Sequence, residues 1–130
     1  MGDLEYNLQS VTIDFQSKER GFYIFDVEEH DYPVNIIIAA GEFSTGGYDI
    51  FIDDMNYDNN TFTVTVREIY PEPTDIVTEA FTYPCCEIQL NKLPGSVRVL
   101  DGNGNELDCL YFYINENEIE PGRIAVIEDG

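Results

Sequence analysis

The chain is 130 residues long, and 43% of them are hydrophobic, including nine Tyr and eight Phe. This apolar content predicts a single folded domain, residues 1–130, because a disordered acidic chain lacks the apolar surface that offsets the entropy lost on ordering. The 26 Asp and Glu against 6 Lys and Arg give a formal net charge of -20, which repels nucleic acid and anionic membranes and disfavours both as partners.

Hydropathy gives no sign of membrane insertion. No apolar run is long enough to cross a bilayer, and residues 1–5 lack the basic and apolar regions of an export signal. The compartment stays open, because an export signal is removed from a mature exported protein.

The first third of the chain shows the alternation of polar and apolar residues that is typical of β-strands. Residues 11–15 predict a half-buried first strand, and a second apolar run covers 22–27. The acidic residues at 28–32 predict at most one short helical turn before Pro33. Residues 34–40 are apolar on both alternating faces, which predicts a central strand buried on two sides.

The middle of the chain predicts a β-hairpin and then an edge. Residues 48–54 and 61–68 form the two arms, joined by the polar loop 55–60. Two prolines then interrupt the pattern, since proline lacks an amide donor. Residues 76–83 predict a further strand, and Pro84 predicts a bend or bulge in it at a sheet edge.

Short strands separated by turn sequences complete the chain, at 87–90, 97–100, 107–114 and 123–128. Many short strands with turn signals between them predict an all-β domain. We expect an antiparallel β-sandwich or a partly open barrel, with no helix beyond the single turn at 28–32.

The turn sequence Thr45-Gly46-Gly47-Tyr48 directly precedes a strand. Two adjacent glycines suit a turn that needs positive φ or a close approach of the backbone to another segment. We favour this structural interpretation, with Tyr48 anchoring the strand through its ring and hydroxyl. The alternative is that Gly46 and Gly47 expose backbone donors and acceptors to a ligand or a partner strand.

A set of residues in fixed order carries a family resemblance: Ala40-Gly41-Glu42, Thr45-Gly46-Gly47-Tyr48, Pro71, Pro73, Thr78 and Thr82-Tyr83-Pro84. Their order and spacing resemble the C-terminal domain family of the protease-complex subunit PrcB, most closely over residues 34–90 and more weakly to 101. The segments 1–21 and 105–130 lie outside the resemblance, and we expect them to add flanking strands.

The resemblance implies an accessory role. In that family the founding example is a subunit that binds and stabilises a secreted subtilisin-like protease, and the named members are bacterial and usually exported or lipid-anchored. For this chain it therefore implies a protein partner and an exported or cell-envelope location in a bacterium. Stabiliser and inhibitor are not separable at this point, since both bind the protease.

Two acidic segments have the composition of cation sites. Residues 101–105 begin like a calcium loop, but Glu106 stands where the sharp-turn glycine belongs and Phe112 where the bidentate Glu belongs. We interpret this segment as a hairpin turn and the acids at 53–58 as a solvated hairpin tip. No metal and no cofactor is predicted.

Catalytic patterns are weak. His30 is the only histidine, and a catalytic pair would combine it as the base with Cys85 or Cys86 as the nucleophile. We favour the simpler interpretation that His30 is an exposed residue in an acidic turn. Cys85 and Cys86 are too close along the chain to bond to each other, whereas a disulfide from either to Cys109 stays open. We predict that the protein is not an enzyme.

The chain has more aromatic residues than one core face requires, and this surplus favours a binding function. The residues concerned are Phe51, Tyr70, Tyr83, Tyr111 and Tyr113. Aromatic side chains are enriched at protein interfaces, so with Gly46 and Gly47 they form the predicted partner-binding set. A second sheet packed over that face is the competing explanation. Strands beside Pro84 offer another route, by backbone pairing with a partner strand.

These patterns together favour a non-catalytic protein-interaction module, an accessory subunit of a secreted bacterial protease or envelope complex. A calcium- or carbohydrate-binding β module is the alternative, and a protease inhibitor or small hydrolase comes third.

Overall fold

The computed structural model describes residues 6–9, 15–26 and 34–113. These residues contain no helix, and thus no helix long and apolar enough to cross a membrane. Their eight strands are β1 Tyr6–Gln9, β2 Gly21–Asp26, β3 Val34–Ala39, β4 Asp49–Asp58, β5 Thr61–Ile69, β6 Cys85–Leu90, β7 Ser96–Leu100 and β8 Cys109–Tyr113. The predicted all-β class is confirmed.

Several predicted elements lie outside the described residues. They are the strand residues 11–14, the helical turn at 28–32 and the strand at 123–128. Phe15 is described and is not in a strand; its ring packs edge-on against Tyr23, with 4.9 Å between ring centroids.

The strands form two sheets. The larger has the order β1-β6-β3-β2-β8, and the smaller has the order β4-β5-β7. Most neighbours are antiparallel, but β2 pairs with β8 and β5 pairs with β7 in parallel. The sheets are therefore mixed rather than purely antiparallel. The chain leaves β5, runs through β6 in the opposite sheet and only then enters β7, and such a crossover allows parallel pairing where a tight hairpin does not.

One apolar core lies between the two sheets and makes the fold a sandwich. It is built from Phe22, Ile24, Val34, Ile36, Ile38, Ala40, Ile50, Phe62, Val64, Val66, Ile88, Leu90, Val97, Val99 and Leu107. Fully burying one such aliphatic or aromatic side chain stabilises the fold by about 1.5–3 kcal/mol.

Strand β3 is the central strand of the larger sheet, as predicted for residues 34–40. Every one of its side chains is buried, including those on the face turned away from the shared core. Asn35 lies on that outer face, 1% exposed, and neither polar atom of its side-chain amide has a hydrogen-bond partner among the residues that the structure describes. An unsatisfied buried amide destabilises the folded state.

The hairpin is longer than predicted, and the predicted loop 55–60 is wrong. Strand β4 runs to Asp58, and the turn is only Asn59-Asn60, with φ of 51° and 62°. Both asparagines adopt the left-handed conformation that two-residue hairpin turns require.

A β-bulge explains why the sequence pattern concealed the end of β4. The register shifts between Ile52 and Asp54, so Ile52 opposes Val66 while Met55 opposes Val64. Inward-facing positions are even-numbered before the bulge and odd-numbered after it. A bulge inserts one residue and so reverses the alternation on which strand prediction depends.

The predicted strand 76–83 is also wrong. Its residues lie in a loop, Ile76 is fully exposed, and only Thr82 forms an isolated bridge, with Phe43. Pro84 does not mark a sheet edge either, because the following strand β6 is paired on both sides, with β1 and β3. A partner strand therefore has no free side of β6 to pair with.

The segments 1–21 and 105–130, which lie outside the resemblance, supply the two outer strands of the larger sheet in the described part of the chain. Strand β1 pairs with β6, and β8 pairs with β2.

Candidate functional site

The turn Thr45–Tyr48 and the loop 70–84 are fastened together by hydrogen bonds. The Gly46 amide donates to the Thr78 carbonyl at 2.8 Å, and the Thr82 hydroxyl donates to the Thr45 carbonyl at 2.7 Å. Phe43 and Thr82 also exchange two backbone hydrogen bonds, of 2.9 and 2.8 Å. Residues that are far apart in sequence thus build one rigid contact.

Gly47 is required by conformation and by space. Its φ is 92°, and a Cβ there would lie 2.8 Å from Pro71 Cβ and 2.8 Å from Val77 Cγ1. At Gly46 the closest atom to such a Cβ would be Thr78 Cβ at 3.5 Å, an ordinary contact. The two glycines therefore serve the loop contact in different ways: Gly47 by its missing side chain and Gly46 by its amide.

A row of aromatic rings runs from this contact to the surface. Phe43 and Tyr48 stack with 4.0 Å between centroids, and Tyr70 meets Tyr48 edge-on at 6.1 Å. Tyr48 thus anchors the start of β4 through its ring, while Tyr70 is 61% exposed. Desolvation, followed by the negative charge of Glu68, raises the pKa of Tyr70.

Arg20 joins the two sheets beside Tyr70. Its guanidinium forms a two-point ion pair with the carboxylate of Glu68, whose side chain is 7% exposed, and lies 3.6 Å from Asp101. The bond to Glu68 raises the pKa of Arg20 above its ordinary value. Sequence reasoning did not single out either partner, because nothing in the local pattern relates residues so far apart.

A polar groove of about 410 Å³ lies beside this ion pair. Its walls are Arg20, Asp53, Val66, Arg67, Glu68, Tyr70, Asp101, Gly102 and Asn103. The Asp101 carboxylate accepts hydrogen bonds from the amides of Asn103 at 2.8 Å and Asn105 at 3.0 Å. Its pKa is lowered first by the Asn105 amide, so this segment is a turn that satisfies its own carboxylate.

Metal-ligand geometry is not assembled in this part of the chain. Among the residues that the structure describes, no three His, Cys, Asp or Glu side chains gather to hold a metal ion. Asp53 and Asp54 lie within β4, and Asp58 ends this strand directly before the Asn59-Asn60 turn. Asp53 faces Arg67 across 3.9 Å.

The three cysteines form no disulfide, so the bond to Cys109 left open by the sequence is not made. Burial raises the pKa of Cys85 to about 11 and that of Cys86 to about 12. Both thiols are therefore protonated near neutral pH, whereas the thiolate is the nucleophile. His30 lies outside the described residues.

The predicted aromatic residues do not gather in one place. Tyr70 borders the groove. Phe51 lies on β4 of the smaller sheet and is 41% exposed, with the Arg67 guanidinium 5.4 Å from its ring centroid. The second sheet packs against the other face, so it does not cover Phe51. Tyr111 is 50% exposed on β8 of the larger sheet.

Tyr83 and Tyr113 are the remaining two predicted aromatics. Tyr83 donates its hydroxyl to Glu42 at 2.7 Å, which raises the pKa of Tyr83. The side chain of Tyr113 lies outside the described part of the molecule.

Sequence reasoning missed two exposed residues, because it placed them in a strand. Ile76 is 101% exposed and Phe81 is 64% exposed, both in the 70–84 loop. The sequence signal that could have located this loop is its combination of prolines and acidic residues, both of which are uncommon inside strands.

Comparison with known proteins bears on this region. A protein-family model described as PrcB C-terminal matches residues 35–91, from β3 through β6, which confirms the resemblance predicted from the sequence. No curated protein and no solved structure matches the chain. The matched segment contains both the glycine turn and the 70–84 loop.

Proposed function

We propose, from the PrcB C-terminal match over residues 35–91, that this protein is a non-catalytic binding domain that acts as an accessory, stabilising subunit of a secreted bacterial protease or envelope complex. The family match supports an association with a protease complex. One observation carries the structural side of the proposal. Residues that carry the resemblance form a hydrogen-bonded loop contact through Gly46, Thr78 and Thr82, and such preorganisation lowers the entropic cost of binding.

The chemistry of the reactive groups supports a role without catalysis. Cys85 and Cys86 have raised pKa values and are poor nucleophiles near neutral pH. Two carboxylates in the groove wall are held by other groups: Glu68 by Arg20, and Asp101 by Arg20 and by the Asn103 and Asn105 amides.

The charge of the chain supports a protein partner of opposite charge. A net charge of -20 attracts basic surfaces over long range and increases the rate of encounter with them. An exported location in a bacterium follows from the family resemblance and forms part of the proposal.

The experiment is to purify the protein with the exported subtilisin-like protease of its own organism and to follow complex formation by size-exclusion chromatography. We expect a complex in which the protease keeps its activity for longer at elevated temperature. A complex with immediate loss of protease activity would indicate an inhibitor, and failure to form any complex would overturn the proposal.

A carbohydrate-binding role is the second candidate, since Tyr70 exposes an aromatic ring beside a polar groove. Aromatic rings and polar side chains in one groove are the groups that recognise sugars. Binding to a glycan array that is lost in Tyr70→Ala would favour this candidate over the protein partner.

A further inference from the structure

The 70–84 loop presents large apolar side chains to solvent. Tyr70, Ile76 and Phe81 are 61%, 101% and 64% exposed. Single exposed apolar residues are ordinary, but three within one short loop offer a partner protein more apolar area than a single residue does.

Hydrogen bonds restrain the loop at two places. Its second half is fastened to the glycine turn by the bond from Gly46 to Thr78. Its tip is closed by Glu72 and Asp75, since the Asp75 amide donates to the Glu72 carbonyl at 2.9 Å and the Glu72 amide donates to the Asp75 carboxylate at 2.7 Å. Ile76 follows directly. A preordered loop loses little conformational entropy when it binds.

The fold does not need the side chain of Ile76. A side chain that is fully exposed contributes no burial to the core, so its apolar surface is available to a partner. The neighbouring Val77 differs, because it packs against the backbone at Gly47.

The charge of the loop selects the partner. Glu72, Asp75 and Glu79 are all exposed, and no Lys or Arg occurs between residues 70 and 84. The complementary surface is therefore an apolar pocket with basic residues at its rim. A second copy of this chain fits poorly, because it also carries a net charge of -20 and has only 6 Lys and Arg.

We propose that the 70–84 loop is the docking element of the protein, with Ile76 and Phe81 entering an apolar pocket on a partner protein. Lysine and arginine residues at the rim of that pocket pair with Glu72, Asp75 and Glu79. This inference rests on the proposed binding function and adds to it the surface used and the chemistry of the partner.

The first experiment needs no identified partner. Amide chemical shifts of the isotope-labelled protein are followed while three peptides are added: one of Leu and Lys, one of Ser and Lys with the same charge, and one of Leu and Glu. We expect shifts centred on 75–81 with the Leu/Lys peptide, and at least about tenfold weaker binding of that peptide by Ile76→Ser.

The Ser/Lys peptide controls for charge alone, and Ile76→Ser should not change its binding. Equal affinity for the Leu/Lys and Ser/Lys peptides, or shifts spread over acidic residues elsewhere, would overturn the docking proposal.

The second experiment uses the purified exported protease of the same organism and three variants: Ile76→Ser, Phe81→Ser and, as the control, Tyr111→Ser on β8. Both loop variants should bind the protease at least about tenfold more weakly with unchanged melting temperature, whereas Tyr111→Ser should bind normally. Reversing Glu72 and Glu79 to Lys, with Asp75 kept because its carboxylate closes the loop tip, should weaken binding most at low salt, because salt screens these contacts.

The outcomes separate the two proposals. If the protease binds the wild type and both loop variants equally, the docking surface is wrong and the accessory function stands. If the protease does not bind the wild type but the Leu/Lys peptide maps to 75–81, the docking surface stands and the accessory function falls.

Discussion

The backbone amide of Gly46 donates a 2.8 Å hydrogen bond to the carbonyl oxygen of Thr78, although the strands β4 and β5 lie between them in the chain. This bond and the close approach at Gly47 fix the 70–84 loop against the turn that begins β4. Five of the residues that carry the family resemblance therefore meet in one contact: Gly46, Gly47, Pro71, Thr78 and Thr82. The contact holds exposed apolar residues in a fixed arrangement.

The two glycines should differ in their tolerance of a side chain. Gly47→Ala should lower the free energy of unfolding by about 1–3 kcal/mol, because alanine disfavours positive φ and its Cβ would clash with Pro71 and Val77. Gly46→Ala, the matched control, should cost about 1 kcal/mol or less. Denaturant titration measures both, and equal losses would contradict the role assigned to Gly47.

The Arg20–Glu68 ion pair should contribute more than a surface pair. Arg20→Ala leaves the 7% exposed Glu68 carboxylate without its main partner, and we expect a loss of about 1–3 kcal/mol, reduced by water reaching the half-exposed guanidinium. Arg67→Ala breaks an exposed pair with Asp53 at 3.9 Å and should cost about 0.5 kcal/mol or less. Equal effects in urea unfolding would show that burial does not matter here.

Removing the unsatisfied amide of Asn35 should stabilise the fold. Asn35→Leu has a similar shape and no buried polar atoms, so we expect a gain of about 1–2 kcal/mol in the free energy of unfolding. Asn56→Leu on the exposed face of β4 is the control and should change it by less than about 0.5 kcal/mol. Destabilisation by Asn35→Leu would mean that the amide has a structural role.

The half-buried thiols of Cys85 and Cys86 should react slowly and should make stability fall at high pH. The pKa values of about 11 for Cys85 and about 12 for Cys86 lie above the value of about 8.5 for an unfolded cysteine. A raised folded pKa gives stability that is fully present below about pH 8.5 and is lost as pH rises toward the folded pKa.

The measurement is alkylation by iodoacetamide at pH 7.5, read by mass spectrometry with and without denaturant. Cys85 and Cys86 should label slowly in the folded protein and rapidly when it is unfolded. Replacing both by Ala should flatten the decline in stability between pH 8.5 and 11. Rapid labelling of the folded protein would contradict the raised pKa values assigned to these half-buried thiols.

Strand prediction succeeded where one pattern, either alternating or apolar on both faces, continued along a whole element. Residues 34–40 are apolar on both faces and form the buried central strand, and residues 61–68 alternate cleanly and form β5. It failed at 55–60 because the bulge near Asp53 reverses the alternation. Strand prediction failed at 76–83 because an apolar run does not reveal whether its backbone pairs in a sheet. Here the Thr78 carbonyl accepts a hydrogen bond from the Gly46 amide in the glycine turn instead.

The sequence by itself determined the all-β class, the central strand and the family resemblance, because strand periodicity and turn residues act over short distances along the chain. Only the tertiary structure decided which residues meet: Gly46 with Thr78, and Arg20 with Glu68. It also decided that Ile76 is exposed rather than in a strand. Pairing and burial are properties of the packed chain, and local pattern does not carry them.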